Sequence, residues 1–385
     1  VTLTGPGGVG KTRLASEFVH RSPARFAGTI EVALSAVLES DLILPGVLQA
    51  FGVRVPGDQP SAINLQRAIG DGPCLLILDN LEHLGGAAHV VAALLRDVPQ
   101  VTILATSRSP LRIRVEREFP VRPLNAIQGG SPEDGSAAIS DAMRLFTERA
   151  RMVQPDFQVS ATNAAAVDAI CRRLDGLPLA LELAAARIKV LAPLTLLERL
   201  ERSPELLTGG PRDQVPRLQS IHAAIAWSYD LLDADEQAAF RALAVFVDGF
   251  TLEAAEIVLQ TSLGLDADDV LDVVSSLIDK SLIVLTAHGG AVSRYSMLFT
   301  IRGFASMELE RSEASESVHR AFIAWVQEFA LRGADSYRHG SSSDQYTWIA
   351  RLERERGNWR AALSWLHEHG PAEDLERLVT NLSGF

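Results

Sequence analysis

Lysine is nearly missing from this chain: its 385 residues hold three, Lys11, Lys189 and Lys280, so almost all of the 36 basic residues are arginine. Against 48 acidic residues they leave a formal net charge of −12. That balance excludes non-specific nucleic-acid binding over the whole surface, because such binding comes from neutralising phosphates. Local arginine faces stay open to other roles. Cysteine is as scarce. Cys74 and Cys171 both lie in apolar stretches, which excludes a disulfide framework and fits buried thiols in a reducing cytoplasm. No apolar run reaches the roughly 20 residues a membrane span needs, and no signal peptide opens the chain. What remains, 47% hydrophobic and 22% charged, is the composition of a soluble globular protein, long enough for about two to four domains.

The densest signal stands at the start. Val1-Thr2-Leu3-Thr4 reads as a short buried strand, Gly5-Pro6-Gly7-Gly8-Val9-Gly10-Lys11-Thr12 follows, and a helix is expected over 11–20 with Leu14, Phe18 and Val19 facing inward. Strand, G-x-x-x-x-G-K-T and helix in that order are a phosphate-binding P-loop in its required context. The glycines free the backbone so that successive N–H groups point at phosphate oxygens, and the helix adds its positive end. Lys11 supplies a mobile cation for the β- and γ-phosphates, and the Thr12 hydroxyl is placed to ligate Mg²⁺. In a chain with three lysines a chance match is rare. The candidate nucleotide contacts are Gly5, Gly7, Gly8, Val9, Gly10, Lys11, Thr12 and Arg13. Because the chain opens at Val1, inside the strand and without Met, it reads as a fragment with a segment upstream.

Residues 29–34 read as a second strand, and 42–51 and 62–69 as helices. Cys74-Leu75-Leu76-Ile77-Leu78-Asp79 is a continuous apolar run ending in an acid, the pattern of a parallel strand buried on both faces. Asp79 at its end suits the Mg²⁺ shell beside the phosphates; the rival reading is a helix cap. Asn80 follows where a second acid would make a strong base, so Glu82 is the nearest residue to orient a water. It reads equally well as a solvated first-turn glutamate. A second buried strand, 101–105, leads into Thr106-Ser107-Arg108. A cationic cluster at the carboxyl end of a parallel strand lies where open α/β sheets bind ligands, and Arg108 there is a candidate γ-phosphate sensor, with a surface arginine as the alternative. Alternating strands and helices predict an α/β, doubly wound parallel sheet.

Residues 126–136 read as a linker, and the chain then turns helical: 138–153, 162–174 and 179–190, with Gly176-Leu177-Pro178 as ordinary punctuation between helices. After a loop at 206–216, helices are expected at 218–231, 235–246, from Thr251, and over 268–279. A two-stranded hairpin of 281–286 and 293–297 follows, which with the helices describes a winged helix. Asp266, Asp268, Asp269, Asp272 and Asp279 make its last helix acidic, so no direct DNA contact is expected from it. Helices over 318–331 and 346–369, with aromatic and small residues at helical spacing, suggest helix-pair packing as in an α-solenoid. The expected domains are 1–125, 138–210, 215–310 and 315–385.

In order and spacing, Gly5 to Thr12, Leu75 to Asn80 with Glu82-His83-Leu84, Ala105-Thr106-Ser107-Arg108 and Leu174-Asp175-Gly176-Leu177-Pro178-Leu179-Ala180 resemble the NB-ARC-like signal-transduction ATPases. The chain is most similar to the nucleotide-binding core of the large AfsR-like and LuxR-type bacterial transcriptional regulators, which Ala226-Trp227-Ser228-Tyr229-Asp230, Val245-Phe246-Val247-Asp248-Gly249-Phe250 and Lys280-Ser281-Leu282 also resemble. The resemblance implies ATP/ADP with Mg²⁺ as ligands and Pro178 packing near the adenine. It implies Arg108 as γ-phosphate sensor, a winged helix closing over ADP, and tetratricopeptide-like repeats following. It also implies effector and sensor domains outside this chain and self-assembly on ATP binding. Where such proteins often carry a His-Asp pair, this chain has Met297-Leu298-Phe299, so no histidine contact to ADP is carried over. The expected function is a slowly hydrolysing, nucleotide-operated switch; a dedicated fast ATPase and a degenerate-site scaffold are the rivals.

Overall fold

A computed structural model describes residues 1–21, 25–35, 37–53, 61–126, 139–202, 220–287, 292–339 and 342–382. The chain forms two compact units, 1–231 with 279–281 and 232–278 with 282–385. The expected linker and the loop at 206–216 fall almost wholly outside the described residues.

The first unit begins with β1 (Thr2–Thr4), α1 (Lys11–Arg21), β2 (Gly28–Ala33), α2 (Ile43–Ala50), α3 (Ala62–Ile69), β3 (Cys74–Asp79), α4 (Ala87–Asp97), β4 (Val101–Thr106) and β5 (Glu118–Pro120). The five strands form one sheet in the order β2-β3-β4-β1-β5, parallel throughout. Period-two alternation explains why β3 is apolar at every position before its closing Asp79. Leu76 and Leu78 join the core with Ile43, Val47, Leu65 and Val91, whereas Leu75 and Ile77 join Leu3, Ala15 and Leu104 on the opposite face. The chain leaves β1 for the far edge at β2, returns through β3 and β4, and finishes beyond β1 at β5. Connections therefore diverge beside β1, and ligands of open sheets bind at the carboxyl ends of strands at such a point.

Within α1, Ala15 is fully buried and Val19 packs on the sheet. Leu14 and Phe18, expected to face inward, are instead 41% and 42% exposed. The small Ala15 lets the helix approach closely, which sets the buried stripe through Ala15 and Val19 and rotates the two larger residues outward.

Among the described residues, this unit is completed by α5 (Asp141–Val153), α6 (Ala164–Arg173), α7 (Pro178–Ala186), α8 (Pro193–Arg202) and α9 (Ile221–Tyr229). Ser140 caps α5 by accepting from the Met143 N–H, and Ser220 caps α9 from the Ala223 N–H. The leucines and most of the alanines of α7 are themselves buried, and the helix packs against α5.

The second unit holds α10 (Ala234–Ala242), β6 (Phe250–Thr251), α11 (Leu252–Leu263), α12 (Ala267–Asp279, whose last residue groups with the first unit), β7 (Val284–Ala287), β8 (Arg294–Ser296) and α13 (Phe299–Glu310). The helical tail follows as α14 (Ser315–His339), α15 (Ser342–Arg354), α16 (Arg356–His369) and α17 (Ala372–Leu382). A capping box at Asp233 and Glu236 opens α10. The expected two-stranded hairpin has a third strand, since Phe250 and Thr251 pair with Tyr295 and Arg294. Two residues carry too little pattern to read as a strand.

The single helix expected over 346–369 is broken at Glu355. Glu355 is buried and ion-paired to Arg294 at 3.0 Å. Asn358, fully buried, accepts from the Val247 N–H at 2.7 Å and donates to the Gly249 carbonyl at 2.9 Å. Satisfying these buried groups outweighs one turn of uninterrupted helix. Of the tail's aromatic residues, Phe322 and Trp325 are core, each 5.3 Å from Phe246, whereas Tyr346 is exposed. Among the described residues, no helix is long and apolar enough to cross a membrane.

Candidate functional site

The P-loop leaves β1 and closes over the start of α1. Gly8, at φ 80°, has a backbone that residues with a Cβ rarely adopt. Its carbonyl accepts from the Leu179 N–H at 3.1 Å, and a Cβ on Gly8 would lie 2.6 Å from that of Leu179. The first turn of α7 is thus pressed directly on the phosphate loop. Pro178, half-buried, stands at the start of that helix. Gly176 precedes it at φ 65°, where a Cβ would overlap the Leu124 carbonyl. The Gly176-Leu177-Pro178 turn is therefore more than punctuation. Its signal in the sequence was the order of motifs, since helix-end chemistry alone leaves it unremarkable.

Lys11 folds back so that Nζ donates to the carbonyls of Gly5 at 2.6 Å and Pro6 at 3.1 Å. The residue keeps some accessible surface, but its ammonium is enclosed. Burial is the largest influence on it and lowers its pKa from the ordinary 10.5 to about 8; Glu82 opposes the shift, Arg108 adds to it, and Asp79 opposes it. A buried cation that donates to two carbonyls, with the Glu82 and Asp79 carboxylates acting on it from nearby, is a fit for an anionic ligand that completes its charge pairing. Val9 is buried beneath the loop, Gly7 is half-buried, the space a Cβ of Gly10 would take is open, and Arg13 is exposed on α1.

Asp79 ends β3, and its Oδ1 accepts from Thr12 Oγ1 at 2.7 Å and from Thr106 Oγ1 at 2.6 Å. The cap of α4 is Gly86, so Asp79 is not a helix cap. Thr106, which no single-residue argument singled out, bridges β3 and β4 by also accepting from the Asn80 N–H at 2.9 Å. A hydroxyl and a carboxylate so joined are hard oxygen donors suited to Mg²⁺, which takes few protein ligands and keeps the rest for water and phosphate oxygens. Among the described residues there is no group of three or more His, Cys, Asp or Glu side chains that could hold a metal by themselves.

Past Asp79 the chain turns sharply at Asn80, φ 72°, a conformation asparagine tolerates. Asn80 Nδ2 donates to His83 Nδ1 at 2.9 Å, and His83 Nε2 donates to the Val37 carbonyl at 2.8 Å. Glu82 is no solvated glutamate and Arg108 no surface arginine. Arg108 Nε donates to Glu82 Oε1 at 3.1 Å, and both side chains are 7% exposed. Glu82 Oε2 is buried with no hydrogen-bond partner among the described residues. Arg108 Nη1 also donates to the Ala224 carbonyl of α9 at 3.3 Å. The structure thus brings Lys11, Thr12, Asp79, Glu82 and Arg108 to one end of the sheet, with Pro178 behind the loop.

Fold and site together define an α/β P-loop nucleotide-binding protein, here followed by helices and a small antiparallel sheet. Over 384 residues, 99% of the chain, it is 39% identical to a Mycobacterium tuberculosis protein assigned by name as an HTH-type transcriptional regulator. Over 396 residues, 95% of the chain, it is 30% identical to the regulatory protein AfsR of Streptomyces coelicolor. The chain belongs to this AfsR-like family of bacterial regulators. It spans 41% of the length of the mycobacterial regulator and 36% of AfsR. It also matches an uncharacterized M. tuberculosis protein at 35% identity, covering 83% of this chain and 78% of that one. No protein-family model matches. Among solved structures, a Walker-type ATPase of Pyrococcus abyssi shares the fold, with a TM-score of 0.51 at 12% identity over 79% of this chain and 90% of that one.

Proposed function

We propose that this nucleotide-binding regulatory module works as a switch operated by adenine nucleotides with Mg²⁺, and that it hydrolyses ATP slowly. The observation that carries the reading is the enclosed Lys11 ammonium beside Asp79, Glu82 and Arg108, an arrangement whose charge is completed by a phosphate chain. The loop amides and Lys11 hold the phosphates, and Pro178 lies beside the base. Thr12 and Asp79 would hold Mg²⁺, which when bound would neutralise phosphate charge. Glu82 orients the attacking water; its oxygen bonds to the γ-phosphorus as the bond to the β-phosphate bridge breaks. The proton passes by way of Glu82 to the released phosphate, leaving ADP. Turnover is slow because Glu82 is engaged by Arg108 and Asn80 stands where a second acid would make a stronger base. A ligand held tightly by one state stabilises it by RT ln(1 + [L]/Kd), enough to bias a regulator between two states. In the longer relatives, the sequence beyond the matched core offers effector and sensor segments for the module to act on, by release or by self-assembly.

The test is to denature the purified chain and identify what it releases. Near-stoichiometric ADP supports the switch. No nucleotide, together with no thermal stabilisation by added ATP or ADP with Mg²⁺, contradicts it and favours a scaffold with a degenerate pocket. Rapid steady-state phosphate release would make it a dedicated ATPase instead.

A further inference from the structure

The motif Val245-Phe246-Val247-Asp248-Gly249-Phe250 contributes no residue to the nucleotide site, and its polar partners lie 111 positions along the chain, at the start of α16. That helix begins without a cap of its own, since Glu355 at its N-cap position makes no capping hydrogen bond with its side chain. The Asp248 carboxylate accepts instead from the Gly357 N–H, in the second helical position, where a capping oxygen normally bonds. A Cβ on Gly357 would overlap that carboxylate. Beside it, Asn358 also accepts from the Asp248 N–H at 3.3 Å and donates to Glu355. Arg294 of β8, besides pairing with Glu355, donates to the carbonyls of Asp248 at 3.2 Å and Gly249 at 3.1 Å. The helical ladder still crosses the break: the Glu355 N–H donates to the Arg351 carbonyl at 3.2 Å, and the Trp359 N–H to the Glu355 carbonyl at 3.0 Å. Elsewhere α15 and α16 rest on α14 through rings, Trp348 on Phe329 with centroids 5.3 Å apart and Trp365 on His319 at 5.2 Å.

We propose that loop 247–249 is a lock on the helical tail: while it engages Asn358, Gly357 and Arg294, α15 and α16 are held closed as one body, and they open together when it lets go. Each buried group of the lock is satisfied by the others. Withdrawing Asn358 strands the Val247 N–H and removes a donor from Glu355 and Gly249, and a half-satisfied buried network costs more than a complete one. Partly released states are therefore disfavoured, and release is all-or-none. The continuous ladder carries a release at α16 into α15. Ring contacts on α14 are non-directional and do not by themselves fix one arrangement. The kink at Glu355 is thus imposed from outside the helix, by the loop, which makes α15 and α16 a two-state element that opens without unfolding the sheet or α11 and α13. This account is independent of whether a nucleotide binds.

Hydrogen exchange of the full chain tests this, with α11 and α13 as internal references. Asp248→Ala removes the cap from an exposed residue and should raise exchange about tenfold over both α15 and α16. Asn358→Leu strips the buried partners and should raise it about a hundredfold over the same two helices. The double variant should match Asn358→Leu alone, because a lock already released has nothing left to lose. Rates in α11 and α13 should stay as they are throughout. A rise confined to the first turn of α16 in Asp248→Ala, which a merely structural cap would give, overturns the inference. So do effects that multiply in the double variant, or an equal rise over α11 and α13. Should Asn358→Leu fail to fold, the comparison of α15 with α16 in Asp248→Ala decides alone.

Discussion

Arg108 and Glu82 form an ion pair at 3.1 Å whose side chains are both 7% exposed. A pair so enclosed is expensive to break from one side, because the remaining charge stays in a low-dielectric environment. Arg108→Leu or Glu82→Leu should each destabilise the chain by about 3 kcal/mol. The double substitution should cost clearly less than their sum, as each removes the other's stranded charge. Urea unfolding of the three variants checks this; additive losses would mean the two side chains are independent.

The Lys11 ammonium, lowered to about 8, gives nucleotide binding a pH dependence. Its value in the folded chain lies below the ordinary 10.5, so the unfolded state binds more protons between them. Stability of the ligand-free chain should therefore rise as pH climbs through that window. Binding runs the other way. Above about pH 8 the free site holds neutral lysine and must take up a proton to meet phosphate, so affinity should fall by up to about tenfold per pH unit. Titrations of ADP from pH 7 to 9.5 should show the fall, and Lys11→Arg, charged throughout, should remove it.

Gly8 answers to two constraints, its φ of 80° and the side chain of Leu179. Gly8→Ala should cost about 1–3 kcal/mol of stability from the backbone alone, and more from the overlap. Nucleotide affinity should fall with it. Adding Leu179→Ala should recover the overlap portion only, which thermal melts of the single and double variants will separate.

Thr12 and Asp79 are joined by one hydrogen bond of 2.7 Å. If together they serve Mg²⁺, Thr12→Val and Asp79→Asn should each reduce the Mg²⁺ enhancement of nucleotide affinity, by about tenfold or more. Affinity measured in EDTA should change little. Calorimetry with and without Mg²⁺ distinguishes this from a general loss of binding.

Much of this site was legible in the residues. Gly5 to Thr12 announced a phosphate loop because each residue type has one job there, and Cys74 to Leu78 announced a two-faced strand because every position is apolar. Other features were hidden for identifiable reasons. Leu14 and Phe18 are apolar yet exposed, because the fully buried Ala15 sets which stripe meets the sheet. Glu355 breaks a helix to pair with Arg294, a residue distant in sequence. The contact of Arg108 with α9 uses the carbonyl of Ala224, and a backbone carbonyl leaves no mark in a sequence.

The most direct measurement is equilibrium binding of ADP and ATP with Mg²⁺ to the chain and to Lys11→Ala. The switch account predicts saturable binding of both nucleotides by the unmodified chain, weakened about a hundredfold or more by the substitution. Binding unchanged in Lys11→Ala, or absent from a folded unmodified chain, would contradict it.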